Sequence, residues 1–182
     1  MQTNQPVVLR LNNLAGKYPG TKAASNAQFL KASELFDEGK YTEAAAAFRL
    51  YLSSTTSGPL TAAAKFGLAA SEDARGEKDK AQKGYEDVIG QYGADPEALQ
   101  ARVALAKILL ANPTPDGTEK AKALLLAASQ ESQAGRIPGF WGREAERMLA
   151  PLEVRAKQER DSGKTNSQKT EEDKSATKPA SE

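Results

Sequence analysis

The sequence predicts an all-α fold: about three helical hairpins stacked side by side into an α–α superhelix, with flanking helices and a disordered C-terminal tail. Three observations predict it. Gly39, Ala44, Phe48 and Pro59 recur 37 positions on as Gly76, Ala81, Tyr85 and Pro96, and a fixed period of about 20–50 residues marks a stacked-repeat architecture. The offset also works upstream, where Phe29, Ala32 and Ala47 map onto Phe66, Ala69 and Gly84, and downstream, where Phe66, Leu68 and Ala69 map onto Val103, Leu105 and Ala106. From Val7 to Val154 the chain is rich in Ala, Leu, Lys, Glu and Gln, which have high helix propensity, and it is interrupted regularly by Gly and Pro.

The breaks define the elements in order. A helix near 7–17 ends at Tyr18-Pro19-Gly20, because proline restricts the residue before it and glycine holds a helix poorly. Helices near 22–38 and 41–53 flank a tight turn at Glu38-Gly39-Lys40, with Gly39 placed as a left-handed terminator. The second of these carries Ala44, Ala47, Phe48, Tyr51 and Leu52 on one stripe. The loop SSTTSGP leads to helices near 60–75 and 78–91, joined at Arg75-Gly76-Glu77. Gly93-Ala94-Asp95-Pro96 precedes a helix near 96–111, with Asp95 suited to the cap and Pro96 to the first helical position. There Leu99, Val103, Ala106 and Leu110 share a stripe. A break over 112–117 precedes a helix near 118–133, and Gly135 to Gly139 precedes a last helix near 140–157. Short loops between helices imply antiparallel neighbours.

Composition narrows the function classes. At 182 residues the chain suits one domain plus a tail, and a domain of about 150 residues buries roughly 68–70% of its unfolded surface without staples. There is no Cys, so there is no disulfide framework, and both reducing and oxidising compartments stay open. Lys and Arg number 25 against 24 Asp and Glu, a net charge of +1. That balance lacks the basic excess of a nucleic-acid binder and the polybasic cluster that anionic membranes attract. No apolar run approaches the ~20 residues of a membrane-spanning helix, and MQTNQPVVLRLNN lacks the charged and apolar regions of a signal peptide. After Val154, RAKQERDSGKTNSQKTEEDKSATKPASE has no Leu, Ile, Phe, Tyr or Trp. Too little apolar surface is present to offset the entropy of ordering, so disorder is expected from about 158. The expected division is a capping helix over 1–20, a repeat domain over 21–157 and a polar tail over 158–182.

The repeat unit is helix, glycine turn, helix. One copy reads Ala32…Gly39-Lys40-Tyr41-Thr42-Glu43-Ala44…Phe48, and the next reads Leu68-Ala69…Gly76-Glu77-Lys78-Asp79-Lys80-Ala81…Tyr85. This pattern resembles the tetratricopeptide repeat family. Small residues at the crossing let helices approach to roughly 8–10 Å, and the aromatic fills the space against the next helix. The third copy, Leu105-Ala106…Thr118-Glu119-Lys120-Ala121…Leu125, departs from it: Pro113 stands at the turn, and Ala121 follows Ala81 by 40 positions. The first helix, VVLRLNNLAGKYPG, resembles the second half of such a repeat, leaving a face of Val8, Leu11 and Leu14 in search of a partner. The arrangement is also similar to bacterial cell-envelope repeat proteins, including the ancillary subunit of the secretion translocon, the Tol–Pal-associated coordinator and outer-membrane assembly lipoproteins.

The resemblance implies a function by contact and an inner wall built from the first helix of each hairpin. Carried over, the candidate protein- or peptide-binding residues are Asn26, Phe29, Ser33 and Asp37, then Phe66, Ala70 and Asp73, then Gln100, Val103 and Lys107, with Phe36, Ala63 and Leu110 beside them. Phe29 and Phe66 either anchor a ligand or simply pack between helices; Phe36 is expected to pack. The subgroup that grips a terminal carboxylate needs several cations and amides. Asn26, Leu30 and Ser33, then Ala63, Gly67 and Ala70, then Gln100, Ala104 and Lys107 do not provide them. Around Trp141, the only tryptophan, the run Ile137 to Trp141 is expected to dock on helix 118–133 and close the stack.

Catalysis has little support. With no His and no Cys, the commonest general base and the thiolate nucleophile are both missing, and no cofactor or metal is expected. The carboxylate pairs Asp37-Glu38 and Glu72-Asp73 precede turns and read as solvated residues, and the glycines form no phosphate-cradling pattern. The expectation is a non-enzymatic scaffold that binds a protein or peptide, in bacterial envelope assembly or secretion, with no nucleic-acid partner and no insertion into a membrane. The alternative is a self-associating module whose first helix completes a repeat in a second copy. The chain carries no targeting signal, so cytoplasm is the literal reading; a periplasmic or membrane-tethered place follows if an anchor precedes Met1.

Overall fold

The computed structural model describes residues 6–55, 57–133 and 139–176, with side chains as far as Gln158. Its elements are α1 (Val7–Lys17), α2 (Lys22–Asp37), α3 (Tyr41–Ser54), α4 (Thr61–Ala74), α5 (Lys78–Gln91), α6 (Pro96–Ala111), α7 (Pro115–Gln133) and α8 (Phe140–Ala176), with no strand among the described residues. Each helix packs on its neighbour in sequence. The backbones of the even-numbered helices also approach their next even neighbours, α2 to α4, α4 to α6 and α6 to α8, whereas those of the odd-numbered helices stay farther apart among the described residues, α5 and α7 being bridged by the long side chains of Glu86 and Lys120 at 2.5 Å. A stack whose alternate helices approach more closely on one side curves toward that side, and this gives the superhelix its inner wall.

The turns repeat along with the residues. Gly39 and Gly76 have φ of 75° and 79°, a conformation that costs a residue with a Cβ but not glycine. At the first turn, Lys40 N–H donates to the Leu35 carbonyl at 2.8 Å and Gly39 N–H to that of Phe36 at 2.9 Å. At the second, Glu77 donates to Glu72 and Gly76 to Asp73, both at 2.9 Å. Both are Schellman-type terminations, which satisfy carbonyls that the helix end would leave bare.

The core is a row of clusters, one per hairpin junction. Ala32, Leu35, Ala44, Phe48, Tyr51 and Ala64 form the first, with Val8 of α1 against it. Ala69, Ala81, Tyr85, Val88, Ala101 and Leu105 form the second. Leu99, Val103, Ala106, Ala121, Leu125, Ala128, Ala145 and Leu149 form the third. Alanines at the crossings bring the backbones close: a Cβ built on Gly84 would stand 2.8 Å from that of Ala69. The mapping of Ala47 onto Gly84 is therefore the removal of a methyl where two helices meet closely.

Three features depart from expectation. α7 begins at Pro115, inside the predicted break, because Thr114 Oγ1 accepts the Gly117 N–H at 3.0 Å and caps the helix with proline at its first position. Asp95 precedes α6, but its side chain makes no capping bond; its main-chain carbonyl accepts from Ala98 at 3.0 Å. The backbone of α8 stays helical to Ala176, beyond the boundary at 157. Lys, Glu, Gln and Arg favour helix locally, whereas the composition argument concerned burial. Packing on the stack ends near Leu152, and Val154 is exposed. Residues 177–182 of the predicted tail lie outside the described residues.

Candidate functional site

The inner wall holds an aromatic groove between α2 and α4. Phe29, Ser33, Phe36 and Asp37 of α2, Phe48 of α3, and Ala63, Phe66, Gly67 and Ala70 of α4 line a recess of about 210 Å³. The geometry follows from helical spacing. Phe29, Ser33 and Phe36 are successive turns of one α2 face, and Ala63, Phe66, Gly67 and Ala70 do the same on α4.

Phe29 and Phe66 both pack between helices and both line the recess. The Phe29 ring packs edge-on against Phe48 and Tyr51, at centroid distances of 5.9 and 5.8 Å. Phe66 packs on Tyr85 at 5.7 Å. Both remain partly exposed in the groove. Phe36, expected only to pack, does pack on Tyr41 at 5.2 Å, and it lines the groove as well. Ser33 spends its hydroxyl proton on the Phe29 carbonyl at 3.2 Å, which leaves the oxygen's lone pairs on the rim.

Of the ten candidate residues, Phe29, Ser33, Asp37, Phe66 and Ala70 meet here. Val103 does not: it is 0% exposed within the third core cluster, because in the third copy the groove-lining phenylalanine becomes a smaller β-branched residue drawn inward. Leu110 is half-buried against the same cluster. Lys107 lies on the wall but is held by Glu144 at 3.0 Å, and Asp73 is held by Lys78. Asn26 is exposed and Gln100 half-buried, each outside the groove.

Phe48 is the groove residue that sequence reasoning missed, and Gly67 carried the signal. A Cβ on Gly67 would lie 2.7 and 2.8 Å from Cε2 and Cε1 of Phe48. A ring from the second helix of one hairpin therefore lies flat on the first helix of the next, and glycine at 67 makes room for it. Leu30, the repeat equivalent of Gly67, is 52% exposed on the stripe of Asn26, Ser33 and Asp37.

Glu72 corrects another expectation. Read as solvated, it is only 7% exposed and takes a 2.6 Å hydrogen bond from Arg49. It occupies the position of core residue Leu35 one repeat earlier, so the helix turns it inward and Arg49 of the preceding hairpin neutralises it. Trp141 is half-buried against the third cluster, as expected of a stack-closing residue, whereas Phe140 is 62% exposed; Ile137 and Pro138 lie outside the described residues. A larger recess of about 390 Å³ between α7 and α8 has a mixed lining that includes Glu119, Lys122 and Arg155, away from this wall. Among the described residues no helix is long and apolar enough to cross a membrane, and no group of three or more Asp or Glu side chains is placed to hold a metal.

No protein-family model and no curated protein matches the chain. Solved structures do. The type III secretion chaperone SycD of Yersinia enterocolitica, in complex with a peptide of the translocator YopD, aligns with a TM-score of 0.61 at 16% identity, over 76% of this chain and 99% of that one. The putative kinesin light chain of Podospora anserina, with nearly identical TPR-like repeats, aligns at 0.63 and 17%, over 88% and 82%. BtubC of P. vanneervenii aligns at 0.60 and 19%, over 82% and 63%. The likeness is one of fold: the chain is an all-α, tetratricopeptide-like array of stacked helical hairpins.

Proposed function

We propose that this protein is a non-catalytic scaffold that captures a peptide or protein segment on its inner wall, with the groove between α2 and α4 as the principal contact. The observation that carries this reading is the groove itself: phenylalanines from both first helices remain accessible where the helices of the stack converge. An apolar cavity of ~150 Å³ admits a benzene ring, so a recess of about 210 Å³ takes one large apolar side chain. A single buried anchor surrounded by neutral contacts is how such interfaces concentrate their energy. SycD, a fold neighbour, is solved with a peptide of its translocator bound. Together with the resemblance to envelope repeat proteins, this supports a role in bacterial envelope assembly or secretion. The proposed units are the repeat domain over 21–157, with 1–20 as its cap and 158–182 as a tail.

The test is selection of a displayed random-peptide library on the full chain and on Ala70→Phe, which fills the groove from a half-buried position. The selected peptides should lose binding to the variant while its helical circular dichroism and denaturation midpoint hold. A library that yields no groove-dependent peptide refutes the reading.

The second reading, self-association, has its own observation. Of the face expected to seek a partner, Val8 packs on the first cluster and Leu11 is half-buried, but Leu14 stays open; like Val7 and Leu9 of α1 and Tyr18 just after the helix, it is 39–45% exposed. Sedimentation of the chain at high micromolar concentration tests this: a monomer removes it.

A further inference from the structure

The groove has a polarity. α2 and α4 run parallel, so their C-terminal ends lie at the same end of the recess. A helix C-terminus carries about half a negative charge, usually complemented by a basic residue in the last turn. Neither α2 nor α4 has one. Each instead places an aspartate there, Asp37 and Asp73.

The nearby cations are already committed. Lys78 holds Asp73, Lys40 holds Glu38 at 2.8 Å, Arg75 holds Glu77 at 2.7 Å and Arg49 holds Glu72 at 2.6 Å. Asp37 is the exception: it lines the groove, it is exposed, and it has no ion-pair or hydrogen-bond partner among the described residues. An aromatic recess for one side chain thus sits directly beside an uncompensated carboxylate at a helix end of the same sign.

Resting on the groove reading, we infer that the preferred occupant is a peptide carrying a large apolar residue with a lysine or arginine within about two positions of it, the apolar side chain filling the recess and the cation meeting Asp37. An extended strand advances about 3.3 Å per residue, so a neighbouring long basic side chain spans the distance from recess to rim. Acidic peptides are disfavoured at the same end by Asp37 and by the α2 terminus, whereas at the α4 terminus Lys78 meets both the carboxylate and, at 3.3 Å, the main-chain carbonyl of Asp73.

The experiment compares the displayed library selected on the full chain with the same library selected on Asp37→Lys. The substitution lies at an exposed last-turn position where a cation suits the helix, so folding is retained. Peptides from the full chain should show an apolar residue flanked by Lys or Arg, and those from Asp37→Lys should shift to Asp or Glu at that place. A synthetic, fluorescently labelled peptide of the enriched sequence should bind two- to fivefold more weakly when its cation is changed to glutamine, as expected of one exposed ion pair. The difference should shrink at 1 M salt. Apolar-anchored peptides with no charge bias, or a bias that survives Asp37→Lys, overturn this inference and leave the groove reading standing. If no groove-dependent peptide emerges, both fall.

Discussion

Gly67→Ala should destabilise the protein, although the same change in most helix interiors stabilises. Gly67 lies in the middle of α4, where alanine gains about 1 kcal/mol of helix propensity. Against this, the new methyl would stand 2.7 Å from Cε2 and 2.8 Å from Cε1 of Phe48, well inside contact distance. The ring cannot swing away freely, since Phe48 is 3% exposed and packs edge-on with Phe29 at 5.9 Å. Overpacking of this kind costs about 1–3 kcal/mol, so the net loss is up to about 2 kcal/mol. In a domain of ~150 residues that lowers the melting temperature by several degrees. Gly90→Ala is the internal control: it lies near the end of α5 with nothing within 4 Å of the added Cβ, so only the propensity gain, at most about 1 kcal/mol, applies. Urea titrations followed by circular dichroism, run in parallel, give the order. If Gly67→Ala is as stable as Gly90→Ala, the close contact between Phe48 and α4 is wrong, and the groove it helps to shape is wrong with it.

Other expectations follow from the charged and buried groups. Arg49→Ala should cost more than Glu72→Leu in the same titration: the first strands a buried carboxylate, at roughly 1–3 kcal/mol, while the second restores the apolar residue that Leu35 supplies one repeat earlier. Hydrogen bonds from Arg147 and then Lys107 hold the Glu144 carboxyl down at about 2. Its stabilisation is therefore complete above the unfolded value near ~4.3 and fades as pH falls toward about 2. The effect of an exposed pair stays below ~1 kcal/mol, and Glu144→Gln should flatten the stability profile in that window alone. Burial, and then the nearby Asp73 charge, push the Tyr85 phenol well above its ordinary value. Above pH ~10 only the unfolded chain releases this proton, so stability falls with rising pH. Spectrophotometric titration should show a phenol that ionises only on unfolding and disappears in Tyr85→Phe.

The helices were legible because their punctuation is local. Gly39 and Gly76 end helices through their own backbone freedom, and α1, α5 and α6 match their predicted spans to the residue. The start of α7 was not legible, since Pro115 and Gly117 read as breakers until Thr114 is seen capping them. In the groove, the family resemblance carried along the first helices led to Phe29, Ser33, Asp37, Phe66 and Ala70. It could not reveal Phe48, which enters from a helix assigned to the core, nor the loss of Val103 to the interior.

Sequence alone settled the repeat, the hairpin as its unit and the order of the helices, since each depends on propensity, period and turn chemistry within a few tens of residues. Which faces remain open was decided only in the folded stack. Glu72 and Leu35 hold equivalent places in the repeat, yet one needs an arginine from another hairpin and the other does not. Asp37 and Asp73 both stand in the last turn of a first helix, one position out of repeat register, yet Lys78 neutralises only the second. Exposure and pairing belong to neighbours brought together across hairpins, and a repeat that copies its residues with small substitutions does not copy those neighbours.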